Sequence, residues 1–239
     1  MKKLTMLSIK LIAVGVIILS MNAKTLAQSD NAGNGLVSNM TIGVKAGFNY
    51  GFLAEDYKSR FTDYRSGYMI GIAASYYILD WIAISPEVYY MEHGGNNLPH
   101  TLMYAPGSAA LIDLEQIDLE IRTIDIPVLA TIHIPGASGD FQLKVVAGPS
   151  FGYTMNATGI NTRIIGFNET KSYTKTDFTD VIDYWEYTAT VGAGFNLKIS
   201  SLVLSVEGRY RAGMSNLHTR DNSENFRSNT YMLTVGIGL

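Results

Sequence analysis

Nine charged residues stand at alternate positions between apolar neighbours. Alternate side chains of a β-strand lie on the same face, so each of these residues predicts a strand with one charged and one apolar face. If the charged faces are enclosed, their charges must pair, because an isolated buried charge is very costly. The acidic members are Glu87, Asp125, Glu186 and Glu207, and the basic members are Lys45, Lys144, Lys198, Arg209 and Arg211.

The near balance of the two signs favours a network of salt bridges. An eight-stranded barrel has an interior just wide enough for side chains to fill it, so such a network would plug the lumen and make the barrel rigid. A narrow ion path is the alternative, and it predicts that one sign dominates the lumen.

Residues in the predicted loops suggest a second kind of chemistry. Four acidic residues (Asp56, Asp63, Asp221 and Glu224) could join a histidine and a serine in a hydrolytic site. The chain has no HExxH zinc motif, and it has no cysteine. We therefore expect no catalytic residue, metal ligand or cofactor. The histidines are His93, His100, His133 and His218.

The alternation is clearest in residues 202–217. Leu204 and Val206 lie on one predicted face, and Glu207 and Arg209 lie on the other. Seven further segments repeat the pattern, and in one of them Gly192 and Gly194 fall on the charged face, where they leave room for bulky neighbours. The eight predicted strands are 41–50, 67–78, 82–91, 117–134, 141–153, 184–199, 202–217 and 230–239.

Short and long connections alternate between these strands. A membrane barrel has short periplasmic turns and long outer loops, whereas a β-sandwich has no reason to alternate them. Open strands cannot lie in lipid, so the first strand should pair with the last. The sequence thus predicts an all-β, eight-stranded antiparallel transmembrane β-barrel with an up-and-down meander. The short connections are 79–81, 135–140 and 200–201, and the long ones are 51–65, 92–114, 154–183 and 218–228.

One predicted strand, 117–134, changes phase along its length. Asp118, Glu120 and Arg122 share a face in its first half, but Asp125 and His133 continue on the other parity. A β-bulge near residue 123 would reconcile the two halves.

The first residues predict export. Residues 1–27 combine early lysines, an apolar run and small residues before the cleavage point, as a signal peptide does. Residues 28–39 are polar and predict a flexible lead-in to a barrel at 40–239. With 18 basic and 21 acidic residues, the chain lacks the basic excess that nucleic-acid binding requires.

Aromatic residues gather near predicted strand ends, where the interfacial girdles of a membrane barrel lie. The predicted girdle residues are Tyr50, Tyr76, Tyr77, Trp81, Tyr153, Trp185 and Tyr187.

Four segments carry a family resemblance: GVKAGFNYG (43–51), DIPVLATIH (125–133), VVAGPSFGY (145–153) and VEGRYRAGMSNL (206–217). In this order, the chain resembles the Bacteroidota outer-membrane β-barrel family that includes PorT-like proteins. The resemblance implies an outer-membrane location, and PorT itself is linked to a secretion and gliding apparatus.

The sequence leads to one main hypothesis: a non-enzymatic outer-membrane barrel with a plugged lumen. Its expected partners are outer-membrane lipid, the barrel-assembly machinery and a protein bound through loops 92–114 and 154–183. A narrow passive channel and a barrel enzyme with a loop-borne hydrolase or acyltransferase site are the alternatives.

Overall fold

The computed structural model describes residues 40–55, 59–60, 62–98, 116–135, 140–165, 170–180, 182–217 and 226–239. The predicted signal peptide and lead-in lie outside these residues. Among the described residues, no helix is long and apolar enough to cross a membrane. The strands are β1 (Met40–Glu55), β2 (Ser59–Arg60), β3 (Asp63–Leu79), β4 (Ile82–Leu98), β5 (Gln116–Pro135), β6 (Phe141–Ile165), β7 (Thr170–Asp177), β8 (Trp185–Ile199), β9 (Leu202–Gly213) and β10 (Phe226–Gly238).

Eight of these strands form a closed antiparallel barrel in the order β1, β3, β4, β5, β6, β8, β9, β10. The barrel closes because β10 pairs with β1, from Gly43 opposite Gly238 to Glu55 opposite Phe226. The predicted eight-stranded meander barrel is therefore confirmed. The two remaining strands are appendages: β2 pairs with the end of β1, and β7 pairs with the far end of β6.

The strands extend further into the predicted outer loops than the sequence indicated. Strand β4 continues to Leu98, and β6 continues to Ile165 and pairs with β7 as a hairpin. The prediction of a loop over 154–183 is thus wrong for most of that segment, whose sequence lacks the apolar alternation that marks a membrane strand. Residues 99–115 lie outside the described part of the chain.

The β-bulge predicted near residue 123 lies on the neighbouring strand β6 and not on β5. Strand β5 keeps its odd-numbered residues buried from Ile117 to His133. The register with β6 does shift at residue 123, because Arg122 pairs with Asn156 and Thr123 pairs with Thr154. Met155 is the extra residue, so the bulge lies on β6 and β5 stays regular. What changes along β5 is the type of residue on each face.

The interior accordingly has two levels. Near the short turns, the inward side chains are charged and polar, and the outward ones are apolar and exposed. Towards the long loops, the inward side chains form an apolar core, here called the apolar cap. Its members are Leu53, Leu98, Ile117, Leu119, Ile121, Ala157, Phe178, Ile182, Leu217 and Phe226.

Outward-facing aromatic rings contact one another at the loop-side edge of the apolar surface. The centroids of Tyr210 and Tyr231 lie 5.0 Å apart, and those of Tyr153 and Trp185 lie 5.1 Å apart. Tyr77 is an exception to the predicted girdle: its ring is 5.2 Å from that of His133 and lines the lumen.

Candidate functional site in the barrel lumen

The charged side chains of the lumen form two groups, one nearer the short turns and one nearer the long loops. The turn-side cluster consists of Lys45, Glu87, Lys144, Glu207 and Arg209. Oε1 of Glu207 lies 2.7 Å from Nζ of both Lys45 and Lys144. Oε1 of Glu87 lies 2.6 Å from Nζ of Lys45 and 2.9 Å from Nη2 of Arg209. Arg209 also donates to Glu207, so one continuous network joins all five residues.

Strand parity and small neighbours position this cluster. Glu207 and Arg209 are alternate residues of β9, opposite Gly194 and Gly192 of β8. A Cβ at Gly194 would lie 2.1 Å from the carbonyl oxygen of Val206 and 2.9 Å from Cγ of Glu207. A Cβ at Gly192 would lie 2.8 Å from Cγ of Arg209. The two glycines therefore leave the space that these long side chains occupy, as the sequence predicted.

The loop-side cluster consists of Asp125, Glu186 and Arg211. The Arg211 side chain is 0% exposed, and its Nη2 lies 2.7 Å from Oε2 of Glu186 and 3.1 Å from Oδ1 of Asp125. Nη1 adds a hydrogen bond of 3.3 Å to Oε1 of Glu186. One guanidinium thus pairs with two carboxylates that come from β5 and β8.

A buried histidine adjoins the loop-side cluster, and the sequence analysis had assigned it to a loop. His93 of β4 is fully buried. Its Nε2 lies 3.0 Å from Oγ1 of Thr123 and 4.0 Å from Oε2 of Glu186, and its Nδ1 lies 3.0 Å from Oγ of Ser228. The parity of Glu87 continues through Tyr89 to His93 along β4, and that signal could have found it. Tyr89 was missed too, and its hydroxyl donates to Glu87 at 2.9 Å.

Lys198 is the one member of the predicted set that the structure does not bring into the lumen network. Its side chain is exposed near the end of β8. The strand ends there, at the tight turn of residues 200–201. Lys198 has the inward parity of β8, but at this end of the strand its side chain lies in solvent and not inside the lumen.

The two clusters together hold four cations and four carboxylates. Each carboxylate has a cation within 3.1 Å, which satisfies the requirement that buried charges pair. Above them, the apolar cap fills the lumen with aliphatic and aromatic side chains that are almost fully buried. Ion pairs thus occupy one level of the described interior, and apolar side chains occupy the other.

Of the candidates for hydrolytic chemistry, Asp63, His93 and His133 lie within the described residues, and these three are not assembled into an accessible site. Among them, Asp63 accepts a hydrogen bond of 2.5 Å from Asn97, while Asp56, Asp221, Glu224, His100 and His218 lie outside the described residues. The Ser228–His93 contact is fully enclosed. Within the described residues, no group of three or more His, Asp or Glu side chains is arranged to hold a metal ion.

A small cavity remains at the turn-side end of the lumen. Its volume is about 50 Å³, and its lining includes the turn-side cluster together with Tyr77, His133 and Asn196. A chain of hydroxyls crosses its wall, with Ser75 2.9 Å from Ser85 and Ser85 3.0 Å from Thr131.

A group of four charges, here called the outer belt, faces outward beside the apolar cap. It consists of Arg65, Glu92, Glu120 and Arg122. Oε2 of Glu120 lies 2.7 Å from Nη2 of Arg65, and its Oε1 lies 2.6 Å from Nη2 of Arg122. Arg122 is 41% exposed. At this level the charges are outside and the apolar residues inside, the reverse of the arrangement near the turns.

Comparison with known proteins agrees with this architecture. Residues 26–219 match the family model described as "Outer membrane protein beta-barrel domain". Several solved structures are similar to this chain. Neisserial surface protein A is 16% identical over 82% of this chain and 96% of its own, with a TM-score of 0.44. Ail, the attachment invasion locus protein of Yersinia pestis, is 13% identical over 83% of this chain and 98% of its own, with a TM-score of 0.40. The N-terminal β-barrel domain of Pseudomonas aeruginosa OprF is 12% identical over 84% of this chain and 98% of its own, with a TM-score of 0.36. No curated protein gave a significant match.

Proposed function

Because the chain belongs to the outer membrane protein β-barrel domain family and is therefore an outer-membrane barrel, we propose that it is a non-enzymatic barrel with a closed lumen. Its role is then structural or partner-binding, and its outer loops carry the binding. The PorT-like resemblance adds the finer proposal that the partner belongs to a secretion or gliding apparatus.

The balance of charges in the lumen carries the proposal of a plug. A conducting path for ions of one sign favours a lumen lined by charges of the opposite sign, whereas the two clusters hold four charges of each sign. The apolar cap supports the same conclusion, because an ion crossing it would lose its hydration without gaining a polar partner.

Conductance in planar bilayers tests the plug. We expect the refolded full chain to insert without a steady ion current. The double variant Leu119→Ser and Ile121→Ser, which makes part of the apolar cap polar, should conduct more than the wild type if the cap is a barrier. A steady current through the wild-type protein would instead support the narrow channel.

The enclosure of the Ser228–His93 pair supports a non-enzymatic role. Ser228 and His93 are both 0% exposed, so a substrate cannot reach them in the described structure. Assays for acyl transfer and peptide hydrolysis on the refolded protein should show no turnover. Turnover that is lost in a His100→Ala or His218→Ala variant would overturn the proposal.

The hairpin formed by the end of β6 and β7 supports partner binding by the segment 154–183. It continues for eight paired residues, from Thr158 opposite Asp177 to Ile165 opposite Thr170, on the side away from the short turns. We expect a protein to co-purify with the full chain from detergent-solubilised membranes. A variant in which a Gly-Ser turn replaces 160–175 should lose that protein and keep the heat-dependent gel shift of a folded barrel. If the variant retains every co-purifying protein, this segment is not the binding surface.

A further inference from the structure

The turn-side mouth of the lumen combines a cavity with an excess of positive charge. The charged side chains that line the cavity are those of the turn-side cluster. They comprise three cations and two carboxylates, so the lining carries one net positive charge. The cations are Lys45, Lys144 and Arg209, and the carboxylates are Glu87 and Glu207.

The loop-side cluster does not offset this charge locally. It carries one cation and two carboxylates, so the whole lumen is neutral, but the two clusters are separated. Along β4, the buried side chains of Tyr89 and Met91 stand between Glu87 and His93, and Met91 belongs to an apolar group with Met69 and Met232. An excess charge enclosed among low-dielectric walls attracts a counter-ion from the solvent it faces.

A histidine side chain that has no hydrogen-bond partner within the described residues also indicates a ligand in this cavity. His133 lines the cavity and is only 4% exposed, yet neither of its ring nitrogens has a hydrogen-bond partner within the described residues. Its ring lies against that of Tyr77, which fixes its plane. Because a neutral imidazole carries one N–H donor, His133 can donate to an anion that also contacts the Lys144 ammonium.

We propose that this mouth binds one small monovalent anion, of the size of chloride, bromide or nitrate, which completes the charge balance of the turn-side cluster. A cavity of about 50 Å³ has room for roughly four water molecules, or for one such ion with a water. The anion would be held by Lys144 and His133, with the hydroxyl chain of Ser85 and Thr131 beside it.

This inference is independent of whether the lumen conducts, so its test is separate from the bilayer experiment. The refolded full chain is unfolded by urea in sodium chloride and in sodium gluconate at equal ionic strength. Gluconate, with its six-carbon chain, is far larger than the proposed anion. We expect a higher urea midpoint in chloride than in gluconate, and equal midpoints would overturn the proposal.

Two lysines near the same end of the barrel provide a matched pair of variants. Lys144→Gln should need about tenfold more chloride for the half-maximal shift, since it removes a charged hydrogen bond to the ion. Lys198→Gln makes the same charge change on an exposed side chain and should keep the wild-type chloride response. An equal loss in both variants would mean that chloride acts through general charge and would overturn the site.

Two further measurements keep the proposal testable if Lys144→Gln does not fold. His133→Phe keeps an aromatic ring against Tyr77 and removes the N–H donor, so it should also weaken the chloride response. In crystals of the unaltered protein soaked in bromide, anomalous scattering should place one ion within hydrogen-bond distance of Nζ of Lys144. Crystals without a peak in the cavity would contradict the proposal.

Discussion

The two levels of the barrel interior differ in the type of residue that faces inward, although the same continuous strands build both levels. Strand β5 runs through both. Between the apolar cap and the short turns it directs Asp125 and His133 inward and Ile126 outward. Near the loops it directs Leu119 inward and Arg122 outward. The surroundings of the barrel therefore decide the pattern, since lipid outside forces charge into the lumen and water outside allows an ordinary apolar core.

The difference has an energetic consequence. Most charges inside the lumen are buried and depend on their partners, whereas the outer belt is partly exposed and depends on its pairs more weakly. Truncation of an apolar side chain should cost most in the apolar cap, because that cap is the larger of the two buried apolar clusters among the described residues. Matched substitutions at the two levels can therefore test the comparison.

The largest effect is expected in the turn-side cluster. Glu207→Gln removes the carboxylate shared by Lys45, Lys144 and Arg209. The free energy of unfolding should fall by about 3–5 kcal/mol, because cations are left unpaired in a buried site. Urea titration in lipid vesicles measures it. Glu120→Gln in the outer belt is the control and should cost about 1 kcal/mol or less. Equal costs would mean that burial does not separate the two levels.

The next effect is expected in the apolar cap. Leu119→Ala truncates a fully buried side chain, and the lost contacts and the cavity should lower the free energy of unfolding by about 3 kcal/mol. Arg122→Ala, on the same strand but facing outward, should cost about 0.5 kcal/mol. The same urea titration compares them. If Leu119→Ala is no more costly than Arg122→Ala, the cap is not a packed core.

A smaller effect is expected from the glycines that face the ions. Gly194→Ala should cost about 1–3 kcal/mol, because its Cβ would clash with backbone and with Glu207. Gly208→Ala is the control on the neighbouring strand, where a Cβ meets nothing within 4 Å. That variant should unfold at the wild-type urea concentration or slightly above it. A loss of stability at Gly208 would argue that close packing around Gly194 is not the cause.

The smallest effect is the salt dependence that distinguishes the two sets of ion pairs. At 1 M salt the Debye length is about 3 Å, so the cost of Glu120→Gln should fall. The cost of Glu207→Gln should persist, since its partners are enclosed. Repeating the urea titrations at low and high salt measures both. If both costs fall together, the lumen ions are exposed to solvent.

Much of the barrel follows from the sequence because alternation is local. A period of two assigns each residue to a face without knowledge of the neighbouring strands, and the lengths of the connections indicated the membrane barrel. The same local signal misassigned the first half of 117–134, because it assumed that charge always points inward. It also stopped β6 at Tyr153, since a strand above the membrane no longer alternates between apolar and polar residues.

The sequence by itself determined the class of fold, the number of barrel strands and the face of each strand that carries charge. Only the tertiary structure decided which charges meet. Arg209 pairs with Glu87 over 122 positions of the chain, Arg211 joins Asp125 to Glu186, and Lys198 is left outside. These pairings depend on the register of strands around a closed barrel, and on whether lipid or water lies outside each level. A local pattern of residues determines neither the strand register nor the medium outside the barrel.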